Sequence, residues 1–122
     1  MTDESFLLRQ IHPSFVQNGH VTSQAFRPTP KDEKLLSVYD GELIEPSETF
    51  HHYTEILKHN SEGCMAVTQR ECTDLDLDVR SDPEPFPEHA VIDFTDFTDS
   101  HIKTVSKRLR ECAVERDWVF HA

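Results

Sequence analysis

Glycine is scarce in this chain, with three in 122 residues, and none sits in a phosphate-cradling loop. A Gly-x-Ser-x-Gly elbow, a His-Glu-x-x-His pair, its inversion and a cysteine–histidine signature are also missing. The chain thus holds no complete catalytic motif. No apolar run is long enough for a membrane span. The opening Met-Thr-Asp-Glu-Ser is acidic where a secretory leader would be basic and then apolar, so a cytoplasmic protein is expected. Three cysteines, Cys64, Cys72 and Cys112, make an odd number without Cys-x-x-Cys spacing. That argues against a disulfide framework and a zinc knuckle and favours buried thiols. No cofactor is called for.

Acidic residues are plentiful. The net charge is −11, and 36% hydrophobic against 29% charged residues points to a modest core under a solvated surface. Residues 1–122 form one domain, large enough for a single core. Between Glu71 and Asp99, ten carboxylates (Glu71, Asp74, Asp76, Asp78, Asp82, Glu84, Glu88, Asp93, Asp96, Asp99) face one base, Arg80, a net −9. Such a field repels a phosphate backbone and argues against nucleic acid. Solubility alone would also explain it.

The stretch Pro83-Glu-Pro-Phe-Pro-Glu-His-Ala-Val-Ile-Asp-Phe94 has the most distinct local logic. Alternating Pro83, Pro85 and Pro87 keep an arm extended and out of any ladder. The chain then enters Ala90-Val-Ile92, its most strand-like run, with His89 at the mouth. Phe6 to His12 reads as an opening strand ended by Pro13. Leu7, Arg9 and Ile11 share one of its faces, unusual company for an arginine. Asn18-Gly19 signals a turn, Val21–Phe26 a short partner strand, and Arg27–Lys34 a loop held open by Pro28 and Pro30. Leu35–Tyr39 is the next strand.

Pro46 suits a first helical turn, with Glu45 and Glu48 near its positive end. Phe50, Tyr53, Ile56 and Leu57 recur at helical spacing toward the core. Cys64–Thr68 reads as a buried strand and Gln69–Thr73 as a single helical turn. Leu75, Leu77 and Val79 alternate with Asp74, Asp76 and Asp78 as a strand would. The last helix spans about Ser100 to Arg116, capped by Thr98, Asp99 or Ser100, with Ile102, Val105, Leu109, Cys112 and Ala113 inward. Trp118–Phe120 adds a final strand. The fold class is α+β: a small mixed sheet packed against two main helices.

Asp74-Leu-Asp-Leu-Asp78 is not an EF-hand, because Val79 and Pro85 stand where a glycine and a glutamate are required. Aspartates outward on a strand explain the alternation better. Adjacent His51 and His52 point about 100° apart on a helix and cannot readily share a metal. His59 and His121 read as solvent-exposed. His12 and His89 are the stronger candidates, each at a strand end beside proline-restricted backbone. Arg9 lies on the opposite face from His12, whereas Asp93 shares an ideal strand face with His89. A His89–Asp93 couple could carry acid–base work or be a satisfied polar pair.

The runs His12-Pro-Ser-Phe with Gln17-Asn-Gly19, Thr22-Ser-Gln-Ala-Phe-Arg-Pro-Thr-Pro-Lys-Asp32, Leu36-Ser-Val-Tyr-Asp-Gly41 and His89-Ala-Val-Ile-Asp-Phe94 resemble a family of short bacterial proteins without known activity. Arg9 on the first strand, an aromatic after it and Leu36-Ser-Val38 are similar to the opening of ADP-ribosyltransferase-like domains. That family's closing glutamate motif is not matched.

Three functions are compatible with these features. The first is an acidic binding module, a toxin-neutralising or system-accessory subunit, that docks on a basic protein through Asp74, Asp76, Asp78, Asp82, Glu84 and Glu88. The second is a small enzyme on a nucleotide-like substrate, with Arg9, His12, His89 and Asp93 around a pocket. The third is a structural subunit whose sheet edge pairs with another chain. A pocket that gathers the second set would separate it from the first.

Overall fold

A computed structural model describes the backbone of Met1–Ala122 and every side chain but that of Pro30. Eight strands are formed: β1 (Phe6–Gln10), β2 (Val16–Gln17), β3 (His20–Val21), β4 (Leu35–Asp40), β5 (Gly63–Thr68), β6 (Asp78–Ser81), β7 (His89–Asp93) and β8 (Phe120–His121). The helices are α1 (Pro46–His51), which runs on into a π turn (His52–Ile56), α2 (Gln69–Thr73) and α3 (Asp99–Arg116). Six strands make one sheet in the order β6-β7-β4-β1-β5-β8, while β2 and β3 form a separate ribbon.

The class is α+β, and the sheet is antiparallel throughout rather than mixed. The reason is topological. Strands β4 and β5 run the same way, but β1 lies between them; β7 likewise separates β4 from β6. Strand β7 is interior and buried from His89 to Ile92, as its apolar run demands. Residues 82–88 stay outside the ladder but bend rather than run straight, which lets Phe86 turn inward.

One sheet face carries the main core. Helix α3, capped by Thr98, lays Ile102, Val105, Leu109 and Ala113 on Leu7, Val38, Met65 and Ile92. Its last turn is anchored by Arg116, which donates to both Glu71 carboxylate oxygens at 3.0 and 2.9 Å and to the Ala66 carbonyl at 2.8 Å. Glu71 also closes a reciprocal cap on α2 with Thr68. Burial acts to raise the Glu71 pKa, but the bonds from Arg116 and the Thr68 N–H outweigh it and hold the carboxyl below its ordinary range.

The opposite face is smaller. Leu8, Tyr39, Cys64 and Ala66 are covered there by α1, its π turn and Phe86. Burial pushes the Cys64 and Cys72 thiols up to about 12, so both stay protonated packing groups.

Several local expectations give way to packing. Val21–Phe26 is not a strand: Ser23–Phe26 is a 3-10 turn, because Ala25 and Phe26 are both fully buried and a strand would send one of them outward. Asp74–Leu77 is a turn instead of an alternating strand. Asp76 adopts φ 62°, a left-handed conformation that aspartate tolerates, and only Asp78 onward joins β7. Along the first helix, Thr49 is buried, while Ile56 and Leu57 are 61% and 37% exposed. The π turn, closed by Leu57 N–H on the His52 carbonyl, shifts the helical phase there. The 27–34 loop contains a 3-10 turn at Pro30–Asp32; the part assigned to the Pro30 ring lies outside the described residues.

Replacing Leu109, fully enclosed, with Ala should lower stability by about 2–5 kcal/mol in urea unfolding. Ser106→Ala should not, although Ser106 is equally buried: its hydroxyl has no partner among the described residues, and alanine removes an unsatisfied group while favouring helix. A clear loss for Ser106→Ala would show that the hydroxyl is satisfied in solution.

Candidate functional site

Strand β1 pairs with β5 over five residues, Phe6↔Thr68 to Gln10↔Cys64, but with β4 over only two, Leu7↔Asp40 and Leu8↔Tyr39. Beyond Leu8 the seam opens, and the Arg9 side chain occupies the gap. Arg9 Nε donates to the Ala25 carbonyl at 2.8 Å and Nη1 to the Ser37 carbonyl at 3.0 Å. Its backbone position among Leu7 and Ile11 is thus explained: the guanidinium supplies the Ser37 carbonyl with a donor that β1 no longer provides and ties the sheet to the Ser23–Phe26 turn. Burial lowers its pKa from the ordinary value, while Tyr53 and Asp32 act in the opposite direction. Nη2 has no partner among the described residues.

The open seam is the floor of a cavity of about 350 Å³ lined by Arg9, Ser37, Tyr39, Tyr53, Leu57, His59, Phe86 and His89, among others. Its walls are largely aromatic. Phe86 packs on Tyr39, His52 and His89 with ring centroids 5.2, 4.6 and 5.2 Å apart. Tyr53 leans on His59 at 4.9 Å. The Tyr39 hydroxyl is 2.8 Å from His52 Nδ1, and burial raises the phenol's pKa above its ordinary value. Gln10 is spent structurally: it donates to Thr49 Oγ1 at 2.7 Å and accepts from Ser61.

A second polar chain reaches the cavity from β7. His89 Nδ1 lies 2.8 Å from the Asp82 carbonyl and 3.4 Å from the Asp82 carboxylate. A carbonyl oxygen can only accept, so Nδ1 carries the hydrogen. In the neutral ring Nε2 is then the acceptor, and the Ser37 hydroxyl, 3.1 Å away, is placed to donate to it. Ser37 is exposed, whereas Leu36 and the residues from Val38 to Asp40 on the same strand are buried.

Of the residues singled out in the sequence, Arg9 and His89 meet at this cavity. His12 and Asp93 do not. His12 caps the turn at Pro13–Phe15, its Nδ1 accepting from the Ser14 N–H at 3.0 Å, and does not line the cavity. Asp93 shares a face with His89 but is committed to Arg80 at 2.6 Å and to the Thr95 N–H at 2.7 Å. The expected His89–Asp93 couple is therefore not formed, and Asp82 stands in its place. Asp74, Asp76, Asp78 and Glu84 are exposed, and Glu88 is half-buried. The acidic segment is partly neutralised, since Arg80 serves Asp78 and Asp93 and Arg116 serves Glu71.

Ser37 and Phe86 were not singled out in the sequence, and Asp82 was read there only as part of the acidic face. The available signals were a lone hydroxyl inside an apolar strand and a lone aromatic inside the proline arm. Among the described residues no group of three or more His, Cys, Asp or Glu side chains is arranged to hold a metal ion. No family model, curated protein or solved structure matches the chain.

Arg9→Met should cost about 1–3 kcal/mol in urea unfolding, because it leaves the Ser37 and Ala25 carbonyls without donors. A loss below about 0.5 kcal/mol, the range of ordinary surface changes, would mean that water fills the seam as well as the guanidinium does.

Proposed function

We propose that the protein is a small enzyme whose substrate presents a planar group and a single negative charge to the cavity between β1 and β4. The observation that carries this reading is the Arg9 guanidinium, fixed by two backbone carbonyls with a donor left over, on the floor of an aromatic-walled cavity. A planar cation with an unused N–H suits a carboxylate or phosphate oxygen. The rings of Tyr39, Tyr53 and Phe86 offer faces to a flat ligand. A volume of about 350 Å³ is near the lower end for ligand sites and favours a compact molecule.

Titrating the isotopically labelled protein with benzoate and, separately, with adenosine monophosphate tests the reading and sorts compact acids from nucleotides. Saturable NMR shifts are expected at Tyr39, Tyr53, Phe86 and His89 for at least one probe. Arg9→Lys, which keeps the charge but loses the fork, should weaken binding at least about tenfold, since a charge-assisted hydrogen bond is worth about 1.5–3 kcal/mol. Shifts from neither probe would end this reading.

A second reading, docking of a basic protein, is favoured by one feature. The outer edge of β6 has no neighbouring strand among the described residues, and exposed Asp74, Asp76, Asp78 and Glu84 surround it. Association with immobilised polylysine should slow between 0.1 and 1 M salt, as the Debye length falls from about 10 to about 3 Å. Changing Asp74, Asp76 and Asp78 together to Asn should slow it at low salt with little effect on stability. Unchanged association by that variant would count against this surface.

A further inference from the structure

We propose that Ser37 is a nucleophile, with His89 as its base and Asp82 as the group that orients the base, and that the cavity cleaves carboxylic esters of small planar acids. The proposal rests on the pocket reading above and adds a reaction to it. Three observations converge. Ser37 is the exposed hydroxyl on an otherwise mostly buried strand. That hydroxyl lies 3.1 Å from a histidine nitrogen left free to accept, because the other ring nitrogen is committed to Asp82. Both side chains line the cavity that also holds Arg9, whose guanidinium is bonded to the carbonyl of Ser37 itself. A nucleophile, a base within hydrogen-bond reach and a third group orienting the base make the arrangement recognised by geometry and not by sequence motif.

The chemistry follows from these positions. Ser37 Oγ bonds to the ester carbonyl carbon as its proton passes to His89 Nε2, and the carbonyl π electrons move onto oxygen. The charge that develops faces the Arg9 side of the cavity, where a fixed cation stabilises it. When the intermediate collapses, the C=O re-forms, the bond to the alcohol oxygen breaks, and the alcohol leaves with the proton from Nε2. Water then loses a proton to Nε2 and attacks the acyl carbon. The Ser37 Oγ–carbon bond breaks and Oγ regains its proton. Ester and water have become alcohol and acid, and the acid ionises to the carboxylate that Arg9 is suited to hold. Asp82 touches neither substrate nor reacting atoms; it is a positioning residue. Its backbone carbonyl fixes the Nδ1–H tautomer, and its carboxylate, 3.4 Å from Nδ1, stabilises the imidazolium that forms, which is the role that Asp82→Asn removes.

A fluorophosphonate, which phosphonylates activated serines with loss of fluoride, reads the nucleophile directly in the intact protein by mass spectrometry and peptide mapping. One adduct is expected, on the peptide containing Ser37, absent in Ser37→Ala and suppressed by benzoate. His89→Gln should slow its formation at least about 100-fold, the lower bound for a general base. If that variant fails to fold, Asp82→Asn, outside the sheet, replaces it, with a slowing of at least about tenfold that Asp82→Glu partly restores. Hydrolysis of p-nitrophenyl benzoate should follow the same order. An adduct on another serine, no adduct, or an unchanged rate in the folded His89 or Asp82 variant would overturn the proposal. If benzoate still shifts the cavity resonances in that case, the pocket reading stands without the nucleophile; if it does not, both fall.

Discussion

The Arg9 guanidinium between β1 and β4 is the interaction on which the remaining architecture depends. A sheet whose central pair shares two residue pairings would expose backbone carbonyls along the rest of the seam, and buried acceptors without donors are costly. Arg9 answers one of them, the Ser37 carbonyl on β4, and bonds as well to the Ala25 carbonyl of the 3-10 turn at Ser23–Phe26. It thereby joins the two halves of the sheet while holding them apart. The cavity is the space that this separation leaves, so the residue that stabilises the gap also gives it a charge.

The two faces of the sheet divide the remaining work. Toward α3 lies a closed apolar core with its helix fastened at the far end by the Arg116–Glu71 pair, in the bidentate geometry that makes such pairs most effective. Toward α1 lies a thinner layer of rings, hydroxyls and imidazoles around an opening. Stability is concentrated on the first face. The second can then keep an exposed hydroxyl and a half-satisfied guanidinium, which a core would not tolerate.

What could be read in the sequence was local. Ala90–Ile92 as an interior strand, α3 with its inward stripe, the single turn of α2 and the odd company of Arg9 all follow from neighbours within a turn or a strand. The site does not. Ser37 and His89 are 52 positions apart and meet because Tyr39 pairs with His89 across β4 and β7, a register that no local pattern declares. Asp93 was the natural partner by alternation, but a cross-strand arginine claims it, and the bend in the proline arm brings Asp82 to the histidine in its stead. His12 is a capping residue, a role that its position before Pro13 and Ser14 would have allowed. The phase of α1 failed for a related reason: a π turn is invisible to a 3.6-residue period.

That π turn has its own consequence. It accommodates one residue more than an α-helix of the same length, and such widened turns are found frequently at functional sites. Tyr53 and Leu57, at its inner side and its end, both reach the cavity. With one residue fewer between His52 and Ile56, regular winding would return and the residues beyond would stay nearly in phase, because a five-residue π turn and a four-residue α turn sweep almost the same angle. The change would fall on the turn itself and on Tyr53, its contribution to the aromatic wall, while the sheet and α3 lost nothing. The cavity's shape is thus set by the length of a surface helix, a variable that could change during descent without disturbing the fold beneath it.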